Sequence, residues 1–360
     1  MRYPRRPSEM KLRAVALLEA QREGLPRARI TQRLLRIPNR RPRPAILVHA
    51  PSNFSFLDNH SESLGFIRDV QFVAHAPGGM QGHHTYVVDL SGVTSIGLDA
   101  ALVLVAEYHR NLFNKPNYQP PIDDADWPAW LRCLLHELGF YKLVKASVRT
   151  GGDPQGGFQV RFVPFVSASL VQGELIDDLI EQLKTAAGAT PKRIATYGAL
   201  LEAIKNVRNH AYPSDADLQL PPRVERWWGA GAYDPNERSL TFAMFDQGVG
   251  IPATLPKRQM WRDLLKLCPP EWTDADVIEG AIELGRTSTG RLERGNGLWT
   301  IVSLVRELPG SEVRILSGRG ELTYRSDGTI SKRLHANPFC GTLIEWSLIL
   351  PAEAMSGAAS

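Results

Sequence analysis

Apolar residues recur with a period of two in several short stretches of this chain and with a period near 3.6 in several longer ones. HTYVVDL (84–90), FQVRFVPFV (158–166), RSLTFAMFD (238–246), EVRILSG (312–318) and GTLIEWSLIL (341–350) read as strands. AILVHA (45–50) is a shorter strand, and paired strands are expected near 320–334. The helical period covers SEMKLRAVALLEAQRE (8–23), AALVLVAEYHRNLF (100–113), AWLRCLLHELGFYKLV (129–144), ASLVQGELIDDLIEQLKTAAG (168–188) and YGALLEAIKNVRNHAY (197–212), the last ended by Pro213. ARITQRLLRI (28–37) suggests a second short helix after the break at Gly24 and Pro26, and a further helix should start near Leu298.

These elements group into two domains, as a chain of 360 residues allows. Residues 45–150 alternate strand, loop and helix, an α/β arrangement. GGDPQGG (151–157) is a Gly/Pro-rich break. Residues 158–351 segregate helices from a mixed sheet in an α+β layer, the helices on one face, and 352–360 form a tail.

Charge changes the picture at one end only. The net charge of +4 conceals 13 Lys/Arg against three Glu within residues 1–44, and a body that is mildly acidic. A basic N-terminal arm follows, closed by the stiff PNRRPRP stretch (38–44). Packing of this arm on the body or a partner is preferred to nucleic-acid reading, because no third helix completes a helix-turn-helix. Cys133, Cys268 and Cys340 are isolated, which argues against a disulfide framework or a zinc site and fits a reducing cytoplasm. The best apolar run, Leu98 to Ala106, is far too short to cross a membrane.

VVDLSGVTSIGLDAALVL, with LRCLLHELGFYKLV after it, resembles the STAS domains of anti-sigma factor antagonists over about 70 residues. Such regulators carry a phosphorylatable serine after the strand. Here the matching stretch is Gly97, Leu98, Asp99, Ala100, without a hydroxyl. The resemblance therefore implies a scaffold or docking module.

The candidate chemistry lies in three boxes: LLEAIKNVRNHAY (200–212), FDQGVG (245–250) and ERGNGL (293–298). Glu202, Asn206 and Asn209 recur at four and three residues and share one helix face. Asn206 can offer an amide oxygen to Mg²⁺, and Glu202 can orient or deprotonate a nucleophile near a γ-phosphate. Alone, the helix reads better as a solvated polar stripe, since Glu and Asn are common on exposed faces. Asp246, delivered by a hydrophobic strand, can accept a hydrogen bond from an adenine amine, while Gly248 and Gly250 let the backbone approach the base. Gly295, Asn296, Gly297 and Leu298 open a helix whose free N–H groups favour phosphate. Between the second and third boxes, Arg286, Thr287, Ser288, Arg291 and Arg294 are donors for a triphosphate under a mobile lid, or simply a solvated loop. Thr342, in a Gly-Thr step before the last strand, can close the pocket.

Together, Glu-x-x-x-Asn, Asp-x-Gly-x-Gly, Gly-x-Gly-Leu and the terminal Gly-Thr strand resemble the GHKL ATPases over about 155–350. The resemblance implies ATP and Mg²⁺ as cofactors, with Asn206 on the metal, Asp246 on adenine, the glycines at the lid and phosphates, and Glu202 as general base. Glu202 sits where histidine kinases generally have Asn, and no phospho-accepting helical hairpin precedes it. EAIKNVRNHAY is closer to the anti-sigma serine kinase branch, whose tail His210 and Tyr212 match. The implied activity is ATP hydrolysis or γ-phosphoryl transfer to a protein Ser/Thr. Two other readings stand beside it: a slow ATP-gated switch acting on a protein partner, and a nucleic-acid clamp using residues 1–44. A homodimer is compatible with each.

Overall fold

In the computed structural model, the described residues are 9–35, 43–75, 85–114, 122–146, 159–169, 171, 173–188, 192–213, 224–254, 271–287 and 297–351. The chain is of α/β class and divides into two compact units, Met1–Gly156 with Leu218–Val224, and Gly157–Asp217 with Glu225–Ser360.

In the first unit, helix α1 (Glu9–Arg22) packs beside α2 (His60–His75). Asp69 of α2 accepts from the Arg22 guanidinium and from Ala28 N at 2.7 Å, and Leu18 is fully buried. Strand β1 (Ile30–Leu35) then pairs antiparallel with β2 (Arg43–His49), which pairs parallel with β4 (Thr85–Asp89) in the order β1-β2-β4. Residues 30–35 are thus a strand, where the sequence suggests a helix. Ladder hydrogen bonds to β2 outweigh the helix propensity of Gln, Arg and Leu. Residues 9–35 thus form part of the first unit's fold.

Short strands β3 (Asn53–Phe54) and β5 (Ser95–Ile96) pair in parallel. Helix α3 (Leu98–Asn114) is followed by α4 (Ala129–Glu137) and α5 (Phe140–Leu143), with Gly139 in the left-handed region between the last two. Asp99, at the turn that resembles the phosphorylated one, is buried. It accepts from Phe56 N at 3.0 Å, Leu57 N at 3.2 Å and its neighbour Ala100 N at 2.7 Å, so it ties two loops together.

The second unit is built on a five-stranded sheet ordered β6-β7-β8-β10-β9: β6 (Arg161–Ala168), β7 (Trp227–Asp234), β8 (Ser239–Asp246), β10 (Ile330–Ile349) and β9 (Glu312–Arg325). Every pairing is antiparallel, which corrects the expected mixed sheet. Strands β9 and β10 form one long hairpin, with register shifts between Leu334 and Phe339 and between Phe339 and Thr342. One face of the sheet carries Leu240, Phe242, Met244, Ile344, Trp346 and Leu348 at alternate positions. Helices α6 (Gly173–Ala187), α7 (Arg193–Asn206), α9 (Asp274–Thr287) and α10 (Gly297–Arg306) bury their apolar sides against this face. The short α8 (Ile251–Thr254) follows the end of β8. The Trp346 indole donates to Ile301 O at 3.0 Å, which pins α10 to the sheet.

Among the described residues no helix is long and apolar enough to cross a membrane.

Candidate functional site

The site is best built from the end of β8. Because strand side chains alternate, Asp246 falls on the same face as Leu240, Phe242 and Met244, the face that the helices cover. It is the last residue of the central strand, registered against Trp227 of β7 and Thr342 of β10. A carboxyl thus ends a buried apolar row, where water does not reach it. Its own turn satisfies part of it: Gly248 N donates to Oδ1 at 2.8 Å, and Thr342 N also donates. Burial nonetheless dominates and pushes the Asp246 carboxyl up to about 7, the two backbone donors pulling the other way.

The turn after Asp246 is held from three sides. Val249 N donates to Ala211 O at 2.9 Å, Gln247 N to the Tyr212 hydroxyl at 3.0 Å, and Ile251 N to Ser317 Oγ at 2.9 Å. Ser317 Oγ in turn contacts Gly341 O at 3.0 Å and Thr342 Oγ1 at 3.1 Å. Thr342 is therefore part of the turn's hydroxyl network as well as Asp246's partner in the ladder. Two glycines permit this crowding. A Cβ on Gly248 would collide with Ala211, and Gly341, at φ +98°, lies against the Asp246 carbonyl.

Tyr212 enters the sequence reading only through the likeness of the helix tail, with no contact assigned to it. Instead its hydroxyl accepts from Gln247 N and donates to Arg226 O at 2.8 Å, joining the end of the first box to the second. Burial first, and the neighbouring Asp246 charge next, raise its phenol well above the ordinary tyrosine value. Tyrosine at a helix end has no motif that distinguishes this role from packing.

Helix α7 supplies the other wall. It runs as an α-helix to Asn206 and then widens into a π-helical turn, Val207–Ala211. This widening carries Ala211 and Tyr212 to the Asp246 turn. It also breaks the 3.6-residue spacing beyond Asn206. Asn209 lies in the widened turn and is exposed, so the expected three-residue stripe holds as regular helix only for Glu202 and Asn206. Glu202, with a side chain about a quarter exposed at 27 %, accepts from Lys205 Nζ at 2.8 Å.

The third box meets the first directly. Gly297 opens α10, and a Cβ placed on it would lie 3.3 Å from Glu202 Oε2, 3.4 Å from Asn206 Oδ1 and 3.5 Å from Asn206 Nδ2. The missing side chain lets the helix start approach an acid and an amide closely. One turn on, Gly198 of α7 faces Thr300, and Leu298 packs at the edge of the core. Glu202, Asn206 and Gly297 form one cluster. Asp246, Gly248, Gly250 and Thr342 form another, and the stretch from Asn206 to Tyr212 links the two.

The insertion between the second and third boxes departs from expectation. Its segment Asp274–Thr287 is the helix α9, with Ile278 and Ile282 fully buried and Val277 and Ala281 packed with Leu298. Asp274 accepts from Arg319 N at 2.6 Å, and Lys332 bridges Asp276 at 2.6 Å and Glu279 at 2.8 Å. This part is built into the unit by apolar burial, in place of a lid throughout the insertion. Arg286 is exposed and ion-paired with Glu283 on its own helix. Thr287 is the last residue of α9. Ser288, Arg291, Arg294, Gly295 and Asn296 lie outside the described residues, as does Cys268. Among the described residues, no cluster of three or more His, Cys, Asp or Glu side chains could hold a metal ion by itself.

This arrangement offers a buried acceptor at one end and a glycine helix start beside a carboxylate and an amide at the other. Comparison of the chain with models of known families and with curated proteins gives no match.

Proposed function

We propose that the second unit binds ATP with Mg²⁺ and either hydrolyses it or transfers its γ-phosphoryl group to a protein Ser/Thr, as the resemblance to GHKL ATPases implies. The observation that carries this reading is the convergence of three separated boxes, Gly297 against Glu202 and Asn206, and Asp246 against Thr342 at the glycine turn. The residues fit the nucleotide on chemical grounds. A carboxylate at the end of the central strand suits an exocyclic amine, and a glycine helix start suits phosphate oxygens.

Bound Mg²⁺ would neutralise charge developing on the phosphates, and Asn206 is its candidate oxygen ligand. Asp246 orients the base. Glu202 takes the proton from the attacking water or hydroxyl, and the N–H groups at the start of α10 hold phosphate oxygens. Calorimetry with ATP and Mg²⁺ tests binding, expected to be roughly micromolar or weaker. Glu202→Ala should keep that binding and lose phosphate release.

A second reading, a slow ATP-gated switch on a protein partner, draws support from the Lys205–Glu202 contact at 2.8 Å. The ion pair occupies one oxygen of the carboxylate that hydrolysis would use as its base. Wild-type protein that binds ATP, changes conformation and releases no phosphate would favour this reading. Nucleic-acid contact through residues 1–44 loses ground, because residues 9–35 supply a helix and a strand to the first unit.

A further inference from the structure

The first unit leaves one edge of its sheet bare. In the order β1-β2-β4, β1 has no neighbour on its outer side among the described residues. Its ladder with β2 pairs Ile30 with Val48, Thr31 with Leu47 and Leu34 with Pro44, a register that sets Arg29 opposite His49. His49 N donates to Arg29 O at 2.9 Å, which makes that pair a hydrogen-bonded one. Bonded and non-bonded pairs alternate in an antiparallel ladder, so Thr31 and Arg33 turn their backbone groups toward β2. Ile30, Gln32 and Leu34 turn theirs outward. Pro44, which has no N–H, stands at a non-bonded position opposite Leu34, as this phase requires.

The side chains follow the same division. Ile30, Gln32 and Leu34 share one face and are exposed, Ile30 at 40 % and Leu34 at 65 %. Val48 and Ile46, opposite Ile30 and Gln32, are buried, so the packing that covers β2 on this face stops short of β1. On the opposite face β1 is anchored. Thr31 Oγ1 lies 2.7 Å from His49 Nε2, and Arg33 is ion-paired with Asp126 at 2.9 Å and with Asp123. Arg29 is exposed there and forms no ion pair among the described residues. The outward-turned residues thus carry two apolar side chains and a neutral Gln, on a strand held fixed from within. That is the reverse of an edge protected against pairing.

We infer that the outer edge of β1 docks an extended segment of a partner protein in which apolar and acidic residues alternate. Antiparallel addition of a strand sets its inward-turned residues opposite Ile30, Gln32 and Leu34, with side chains on the same face. Apolar residues at those positions cover Ile30 and Leu34. The alternate residues fall on the face of Arg29 and Arg33, where acidic side chains meet the basic run. Charge selects this occupant. Residues 27–43 hold seven Arg and no Asp or Glu, so a second copy of β1 would bring like charges together across the new ladder. The inference uses the first unit alone and is independent of the nucleotide pocket.

The test titrates full-length protein into a fluorescein-labelled peptide of about eight residues, alternating Val and Glu, and follows anisotropy. Wild type should bind it saturably, and more weakly as salt is raised. The same peptide N-methylated at its valines should bind about tenfold more weakly or worse, because those N–H groups face β1. Gln32→Pro removes an outward N–H and no bond to β2. It should weaken binding by a similar factor, with a melting temperature within a few degrees of wild type. Arg29→Glu and Leu34→Ser, at exposed side chains, should each weaken binding several-fold, and they decide the matter should Gln32→Pro unfold the chain. Wild type that does not bind the Val/Glu peptide, or that binds its N-methylated form or a Val/Lys peptide equally well, overturns the inference. So does binding unchanged by Arg29→Glu and Leu34→Ser, or self-association of wild type that Gln32→Pro abolishes, which would make a second copy the occupant.

Discussion

At the residue scale the account turns on Asp246. Its carboxyl, held up at about 7 against an ordinary value of 3.8, keeps a proton in the folded chain across a range where the unfolded chain has lost it. Its contribution to stability is therefore fullest below about pH 4 and declines as pH rises to about 7. Asp246→Asn should flatten that slope, which thermal melts from pH 4 to pH 8 would read. The ionised form is the acceptor an adenine amine requires, so ATP affinity should rise with pH and level off above about 7. A pH-independent affinity would detach Asp246 from the base. Sequence reasoning reached Asp246 because a hydrophobic strand running into Asp-x-Gly-x-Gly is a local signal. It missed Tyr212 because that role exists only once two segments 35 positions apart are brought together.

At the scale of elements, glycines set where the boxes can touch. Gly297→Ala adds a methyl 3.3 Å from Glu202 Oε2, tight enough to shift that carboxylate, and in ordinary contact with Asn206 at 3.4–3.5 Å. The expected result is a fall of tenfold or more in phosphate release with a melting temperature within a few degrees of wild type. Gly341→Ala should behave differently. It combines φ +98° with a clash on the Asp246 carbonyl, and should cost about 1–3 kcal/mol of stability in denaturant titration. Helix α9 depends on the Lys332 bridge, whose pairing holds the Asp276 carboxyl down at about 2, its bonds with Thr273 adding to this. Lys332→Ala should raise amide exchange within Asp274–Thr287, and should leave exchange in α7 unchanged. Among the elements that escaped the pattern, two show the physical reason plainly. Strand β7, WWGAGAYD, lacks clean alternation because Gly229 and Gly231 make room for Phe242 of the neighbouring strand. Helix α2 buries His60, Ser63, Arg68, Asp69 and Gln71 among its apolar residues, and Asp69 finds its partner Arg22 on another helix, out of reach of a local pattern.

On the scale of the whole molecule, the chain carries a sheet-and-helix unit, the one to which the nucleotide chemistry is proposed, and a separate α/β unit. Charge alone marks residues 1–44 as a basic arm, yet β1 of this segment pairs with β2 at the edge of the first unit's sheet. Composition could not show this, because a basic run looks the same whether it trails free or closes a sheet edge. The most direct measurement of the central claim is calorimetric titration of ATP with Mg²⁺ into wild-type protein and Asp246→Asn at pH 7.5. The account predicts saturable binding to wild type and an affinity at least tenfold weaker for the variant, with both proteins melting cooperatively. Equal heats and equal affinities for the two proteins, or no binding to either, would contradict it.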